Sequence, residues 1–159
     1  MAQTPYILFI DADTRLFDQG TIVFTLGRMV SHGYKLLTCR LKCYEGSILD
    51  KALYSLYNHV HALLIKFYPF AIGTYFMVKT EDFNKFGRFN TESDTCEDFL
   101  FSQNFKNEEF HFHSDYVGQD NRRLLKMGRF GMAKYLLTNL VNFIKGTTNH
   151  FNKQTDYWK

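Results

Sequence analysis

Segments with strand-like and helix-like hydrophobic patterns alternate along this chain. Continuous apolar runs at residues 6–10 and 70–78 predict strands buried on both faces, and weaker alternation predicts two more at 35–43 and 109–117. Apolar residues spaced by three or four predict helices at 18–31, 49–67, 80–86, 97–105 and 124–144. Strands that alternate with helices predict a layered α/β domain, with the sheet between two layers of helices.

The first two predicted helices have clear ends and clear apolar stripes. Gly33 is placed to end the first helix, and Pro69 to end the second. We expect both stripes to face the core; they comprise Ile22, Val23, Leu26, Met29 and Val30 in the first helix, and Leu49, Ala52, Leu53, Leu56, Val60, Leu63 and Phe67 in the second. His59 and His61 are then expected at the surface.

Charge divides the chain into two unequal parts. Residues 1–121 carry 11 Lys/Arg and 15 Asp/Glu, a net charge of −4, whereas residues 122–159 carry 8 and 1, a net charge of +7. This difference predicts a body at 1–121, followed by a basic amphipathic helix and tail at 122–159. Such a tail suits an anionic partner such as a diphosphate, a lipid headgroup or a nucleic acid, or it simply forms a solvated helix.

The cysteines and the absence of long apolar runs bear on location. Cys39, Cys43 and Cys96 are an odd number, and the first two would lie about 13 Å apart on one strand, too far for a disulfide. The sequence shows neither a signal-peptide pattern nor an apolar run of about 18 residues. We therefore expect a cytoplasmic protein with reduced thiols. The basic amphipathic helix suits either peripheral docking on an anionic membrane surface or packing on its own domain.

The first candidate site is Asp11-Ala-Asp13, at the end of the first predicted strand. Ligands of open α/β sheets lie beyond the carboxyl ends of strands. Two carboxylates one residue apart suit Mg²⁺ or Mn²⁺, which take oxygen ligands together with substrate phosphates. The alternative is a polar turn in which Asp13 or Thr14 caps the next helix.

Two families share this first motif. The stretch from Ile10 to Asp18 looks like the opening motif of haloacid-dehalogenase-type phosphatases, in which Asp11 would be the nucleophile and Asp13 the acid/base. Those enzymes also need a second acidic pair after a later strand. The pair Glu97-Asp98 instead opens a predicted helix. The phosphatase is therefore the alternative interpretation, and a non-catalytic interaction module is a second one.

A longer, ordered set of motifs resembles the inverting family 2 glycosyltransferases of the GT-A fold. It comprises the strand 70–79 with Gly73, the turn Phe86-Gly-Arg-Phe89, the pair Glu97-Asp98 followed by Leu100, and Arg122-Arg123. Asp11-Ala-Asp13 lies upstream at the spacing that the family shows. The resemblance covers residues 5 to 130 and predicts a partial GT-A sandwich of three layers, α/β/α.

The resemblance implies a role for each motif in sugar transfer from a UDP- or GDP-sugar to an acceptor hydroxyl. Asp98 would be the general base, with Glu97 positioning it or holding the acceptor. Gly73 and Thr74 would lie against the acceptor, which is a sugar or a lipid-linked sugar. The donor diphosphate would be bound by Asp11, Asp13, Arg122 and Arg123. Mn²⁺ or Mg²⁺ would be held by Asp13, Asp11 and His113.

The resemblance also implies that part of the enzyme is missing. Family members place a nucleotide-binding half before the Asp-x-Asp strand, and this strand lies inside their sheet. The present sequence begins five residues before it. An uncovered apolar strand edge tends to pair with another chain. We therefore expect a homodimer or a partner chain that completes the fold, and an enzyme that is complete only with that second chain. Nucleic acid is not expected as a partner.

Overall fold

The structure is a computed structural model and describes residues 3–87, 89 and 97–144. Residues 1–2, Arg88, residues 90–96, which include Cys96, and the tail after residue 144 lie outside the described residues. The strands are β1 (Tyr6–Ile10), β2 (Arg15–Leu16), β3 (Leu36–Cys43), β4 (Tyr75–Lys79) and β5 (Phe110–Gln119). The helices are α1 (Thr21–His32), α2 (Ile48–Leu64), α3 (Thr80–Lys85), α4 (Glu97–Ser102) and α5 (Arg122–Ile144). The chain thus has the predicted mixed α/β class, and β2 is the strand that the pattern did not predict.

The five strands form one sheet in the order β1-β4-β3-β5-β2. β4 lies antiparallel to both β1 and β3, whereas β3 and β5 are parallel. β2 pairs with the end of β5 through Arg15 and Leu16. The chain that follows β1 therefore runs to the carboxyl end of β5, next to the start of α5.

Apolar side chains pack on both faces of this sheet. One cluster contains Leu36, Phe76, Val78 and Phe110 of the sheet together with Phe83 of α3 and Phe101 of α4. The other contains Leu37, Cys39, Leu41, Met77 and Val117 of the sheet together with Met29 of α1. Alternate residues of β3 thus enter opposite clusters, as the two-residue period of a strand requires.

Helix α1 ends where the sequence predicts, but the face that packs on the core is not the predicted apolar stripe. Gly33 adopts φ 71°, the left-handed conformation that ends many helices and that glycine adopts without strain. The buried residues of α1 are Thr21, Thr25 and Met29. The Thr25 hydroxyl lies 2.8 Å from the Thr21 carbonyl and 2.7 Å from the Tyr75 hydroxyl, so the buried polar atom has partners. Of the predicted stripe only Met29 is buried; Ile22, Val23, Leu26 and Val30 are exposed.

Helix α2 begins at a capping box and likewise turns its apolar stripe outwards. Ser47 and Asp50 exchange side chain to backbone hydrogen bonds at its first turn. The helix ends at Leu64, five residues before Pro69. Its buried residues are Asp50, Asn58 and His61, whereas Leu49, Leu56, Val60, Leu63 and the following Phe67 are exposed. The prediction that this stripe faces the core was wrong.

His61 corrects a second expectation. It is 1% exposed and not a surface residue. Its Nε2 lies 3.0 Å from the Phe70 carbonyl, and its ring stacks on the Phe70 ring at 4.0 Å between centroids. Burial lowers the pKa of His61 to about 4, so the ring packs in its neutral form. His59 is exposed, as expected.

Asn58 fastens α2 to the part of β3 that β4 does not reach. Its side-chain oxygen accepts the Leu41 N–H at 2.9 Å, and its amide donates to the Leu41 carbonyl at 2.7 Å. Both backbone groups are buried and need these partners.

The replacement Asn58→Ala is expected to lower the free energy of unfolding by about 2–4 kcal/mol, because it leaves one donor and one acceptor of Leu41 unsatisfied. Urea unfolding followed by circular dichroism measures this loss. The exposed Ser55→Ala on the same helix is the matched control and should change stability by less than about 0.5 kcal/mol. Equal effects of the two substitutions would show that the Leu41 bonds do not stabilise the fold.

Strand β1 lies at the edge of the sheet, which its apolar sequence did not predict. It has one neighbour, β4, among the described strands. Its first four residues are partly buried and Ile10 is 43% exposed, so the prediction of a strand buried on both faces was wrong for β1. β4 agrees better: Tyr75 to Val78 are buried, but the strand is shorter than predicted because residues 73–74 form a turn.

The carboxyl-terminal part differs from the predicted pattern at two places. The pairing of β3 with β5 shifts register between Cys39 and Arg40, and beyond the shift Val117 is buried whereas Tyr116 is 43% exposed. Helix α5 is interrupted at Gly128, whose φ of 71° and ψ of 157° are not helical. No helix within the described part of the chain is long and apolar enough to cross a membrane.

Candidate functional site

The turn before β4 connects two of the predicted motifs. On one side, the Gly73 N–H donates to the Asp98 carboxylate. On the other, the Thr74 carbonyl accepts the Asp11 N–H at 3.3 Å and the Thr14 hydroxyl at 2.9 Å. Gly73 thus binds Asp98, which is 25 positions away in the sequence, and Thr74 binds Thr14, which is 60 positions away. Two neighbouring residues of one turn hold both. The predicted base and the predicted diphosphate-binding motif flank the same short stretch of backbone.

Asp98 is held in place by backbone groups at the start of α4. One of its oxygens accepts from Gly73, and the other accepts the Phe99 N–H at 2.8 Å. The Ser102 hydroxyl donates to the Asp98 carbonyl at 2.6 Å and accepts the Ala71 N–H at 2.8 Å. This second link fixes α4 against the segment that leads into the turn.

The pKa of Asp98 lies above the range usual for an aspartate. Burial is the largest cause, the negative charge of Glu97 adds to it, and the hydrogen bonds to Phe99 and Gly73 oppose it. Together they raise the pKa to about 6. The carboxylate is therefore mostly ionised at pH 7 and more basic than an exposed aspartate, which suits a general base.

Gly73 and Thr74 are at the site, but their side-chain positions differ from the expectation. A Cβ atom on Gly73 would lie 3.0 Å from a carboxylate oxygen of Asp98, so the missing side chain makes room for Asp98 itself. Thr74 is 2% exposed. Its side chain does not reach a surface where an acceptor sugar would lie, and its carbonyl serves to position Asp11 and Thr14.

Arg122 and Arg123 both lie near the Asp11-Ala-Asp13 turn. Arg122 forms ion pairs with Asp13 and with Asp120. Arg123 lies close enough to Asp11 for its charge to lower the pKa of that carboxyl. Burial, the largest cause, and the charge of Asp13 act in the opposite direction, so the pKa of Asp11 is raised overall. The carboxylates of Asp11, Asp13 and Asp120 and the guanidinium groups of Arg122 and Arg123 therefore lie in one region.

Three residues of this region escaped the sequence interpretation. Asp120 binds Arg122 from the end of β5, and the Tyr44 hydroxyl donates to the Asp13 carbonyl at 3.3 Å. The Tyr54 hydroxyl donates to the Asp120 carbonyl at 2.9 Å. An acidic residue two positions before an arginine pair was the signal available for Asp120. The tyrosines carry no sequence signal, because only the folded chain brings them here.

His113 lies elsewhere on β5. It is buried, it pairs with Cys39 in register, and its ring nitrogens lie 3.4 Å from His111 and 3.5 Å from Asp115. Burial, with a smaller contribution from the charge of His113, lowers the pKa of His111 to about 4. Within the described ranges, no three His, Cys, Asp or Glu side chains gather as a metal site, so His113 does not join Asp11 and Asp13 there.

Glu97 and Asp98 open α4 rather than follow a strand. The arrangement that a dehalogenase-type phosphatase needs, a second acidic pair after a strand, is therefore not what this pair provides. Asp11 and Asp13 are oriented towards arginines instead. No protein-family model matches the sequence, and no curated protein matches it either.

Proposed function

We propose that this chain is the metal-binding and acceptor-side part of an inverting family 2 glycosyltransferase with a partial GT-A fold. It would transfer a sugar from a UDP- or GDP-sugar to an acceptor hydroxyl. The observation that carries the proposal is the shared turn: Gly73 holds Asp98, and Thr74 holds Asp11. A base for the acceptor and a binding group for the leaving diphosphate are needed on either side of one anomeric carbon, and this turn brings such groups together.

The chemistry assigns a task to each charged group. The ionised Asp98 takes the proton of the acceptor hydroxyl as its oxygen forms a bond to the anomeric carbon. The bond from that carbon to the diphosphate oxygen breaks, and the electron pair leaves with the diphosphate. Attack opposite the leaving group inverts the anomeric centre. Arg122 and Arg123 neutralise the growing charge, since guanidinium forks match phosphate oxygens.

Asp11 and Asp13 fit a divalent cation as part of its ligand set. Their carboxylates supply hard oxygen ligands, and the diphosphate would complete the coordination. A bound Mn²⁺ or Mg²⁺ supplies Lewis-acid stabilisation of the leaving group. Arg122 contacts Asp13 in this structure, so it already offsets part of the negative charge. Its second partner, Asp120, keeps Arg122 at the site when Asp13 turns to another ligand.

The proposed reaction is tested by nucleotide release. The chain, together with its partner if one is found, is incubated with UDP- and GDP-sugars, Mn²⁺ and a sugar acceptor, and free UDP or GDP is measured. Transfer predicts release that depends on acceptor and metal. Hydrolysis of an aryl phosphate that Asp11→Asn abolishes would favour the phosphatase and overturn the proposal.

We further propose that a second copy of the chain, or a partner chain, covers the exposed side of the molecule. Among the described residues, no second strand pairs with β1, and the apolar stripe on α1 is exposed. On α2 the apolar positions 49, 53, 56, 60, 63 and 67 follow spacings of four and three in strict alternation. That 3.5-residue period is typical of a helix that packs against another helix, and none of these positions is charged.

The replacement Leu63→Glu is therefore expected to halve the mass measured by light scattering, because it places a charge in the middle of the helix contact. Leu125→Glu is the matched control, since Leu125 is also exposed and lies on α5. Wild-type protein that is monomeric at every concentration would contradict the second-copy proposal and leave only a different partner chain.

A further inference from the structure

A groove of about 410 Å³ lies between α2 and the carboxyl-terminal half of β3, apart from the Asp-x-Asp turn. Its lining includes the basic residues Arg40, Lys42 and Lys51 and the tyrosines Tyr54 and Tyr116. Among the residues that the structure describes, no aspartate or glutamate lines it. The groove is therefore a concave surface of one charge sign with aromatic walls.

The basic side chains of the groove are not neutralised within the described part of the chain. Arg40 contacts the rings of Phe112 and Tyr116, at 5.7 and 6.0 Å from their centroids, and its Nε is buried without a hydrogen-bond acceptor. The Lys42 amine lies 5.2 Å above the Phe17 ring. Neither these two residues nor Lys51 forms an ion pair with a carboxylate that the structure describes.

Three other basic side chains in the described part of the chain have carboxylate partners. Lys35 pairs with Glu109 at 2.6 Å, Arg129 pairs with Asp50 at 2.8 Å, and Arg122 binds two aspartates. Three cations brought together around one concavity repel one another and are stabilised by an anion placed between them. The charge arrangement of the groove therefore indicates a ligand that carries negative charge.

We propose that this groove binds a phosphate monoester, with the phosphate held by Arg40, Lys42 and Lys51. Arginine donates to two phosphate oxygens at once, and the lysines add charge. Tyr116, which is 43% exposed, provides an aromatic face for the organic part of the ligand. The Tyr54 hydroxyl bonds to Asp120, so the groove adjoins the Arg122 site without sharing its charged residues.

Backbone amide shifts during titration with inorganic phosphate test this site. The titration is done without divalent metal, and with chloride at equal ionic strength as the reference. Phosphate should cause saturable shifts at residues 40–43 and 51–62. We expect Arg40→Gln to abolish the shifts and the exposed Lys51→Gln to weaken binding at least about tenfold. Lys85→Gln, an exposed lysine on α3, is the matched control and should bind as wild type does.

Vesicles distinguish a lipid headgroup from a soluble phosphate. Sedimentation with phosphatidic acid vesicles that Arg40→Gln reduces would identify the headgroup as a ligand, whereas phosphate binding without such sedimentation indicates a soluble ester. Shifts that chloride reproduces, or that persist in Arg40→Gln, would overturn the site. Asp13→Ala should leave phosphate binding here unchanged, so the result does not depend on whether the chain transfers sugar.

Discussion

Replacing Asp98 by Asn is expected to lower sugar transfer by about 10²–10⁴-fold while the chain remains folded. Asn has nearly the same shape as Asp, and its carbonyl can still accept the Gly73 N–H. It cannot take a proton from the acceptor hydroxyl. Nucleotide binding should be retained, because Asp98 lies on the acceptor side of the turn. A variant that transfers sugar at the wild-type rate would show that Asp98 is not the base.

The pH dependence provides a second measurement of Asp98. The pKa of about 6 means that wild-type kcat/KM should fall about tenfold for each pH unit below 6, as the base becomes protonated. The folded state binds this proton more tightly than the unfolded state, in which the pKa is near 3.8. Wild-type stability from this residue is therefore lost as the pH rises towards and through 6.

The isolated chain is sufficient to measure the stability effect. Asn carries no proton equilibrium, so the Tm of Asp98→Asn minus the Tm of wild type should increase between pH 5 and pH 7.5. All other titrating groups are common to the two proteins and cancel in this difference. A difference that is constant over this range would contradict the raised pKa, whether or not the chain is active.

Replacing Asp13 by Ala is the second change with a large expected effect. In Mn²⁺, binding of UDP or GDP should weaken at least about tenfold, or about 1.4 kcal/mol, because a ligand of the cation is lost. In a chelator we do not expect the substitution to weaken nucleotide binding. Arg122 is then free of Asp13, and one negative charge near the diphosphate has gone, so the variant should bind the nucleotide at least as tightly as wild type.

Calorimetric titration under both conditions measures these affinities. Glu81→Ala is the control, since Glu81 is an exposed acidic residue on α3. Weakening of the same size with and without metal would indicate that Asp13 acts only through the position of Arg122. That outcome would show that Asp13 does not bind a cation at this site.

The sequence predicted which segments are helices and strands, but not which helix faces are covered. Hydrophobic periodicity locates a stripe without showing what packs on it. In α1 and α2 the buried side includes Thr25, Asn58 and His61, which form hydrogen bonds with Tyr75, Leu41 and Phe70 respectively. Such partners are distant in sequence, so a local pattern cannot indicate that these residues are buried.

The candidate site likewise contains residues that short motifs indicate and residues that only the folded chain brings together. Asp11 and Asp13 were indicated by their position at the end of an apolar strand. Asp98 and the arginine pair were expected near them through the family resemblance. Asp120 and the bond from Tyr44 to Asp13 depend on how β5 returns beside β2, which no short motif encodes. His113 was included as a metal ligand through the family resemblance, and the register of β5 places it beside Cys39.

The most direct test of the central claim is nucleotide binding by the wild-type chain. UDP and GDP are titrated by calorimetry in the presence of Mn²⁺, in Mg²⁺ and in a chelator. The account predicts saturable binding of at least one nucleotide that requires the metal. Absence of binding to both nucleotides with either metal would contradict the assignment of this chain as the metal-binding part of a glycosyltransferase.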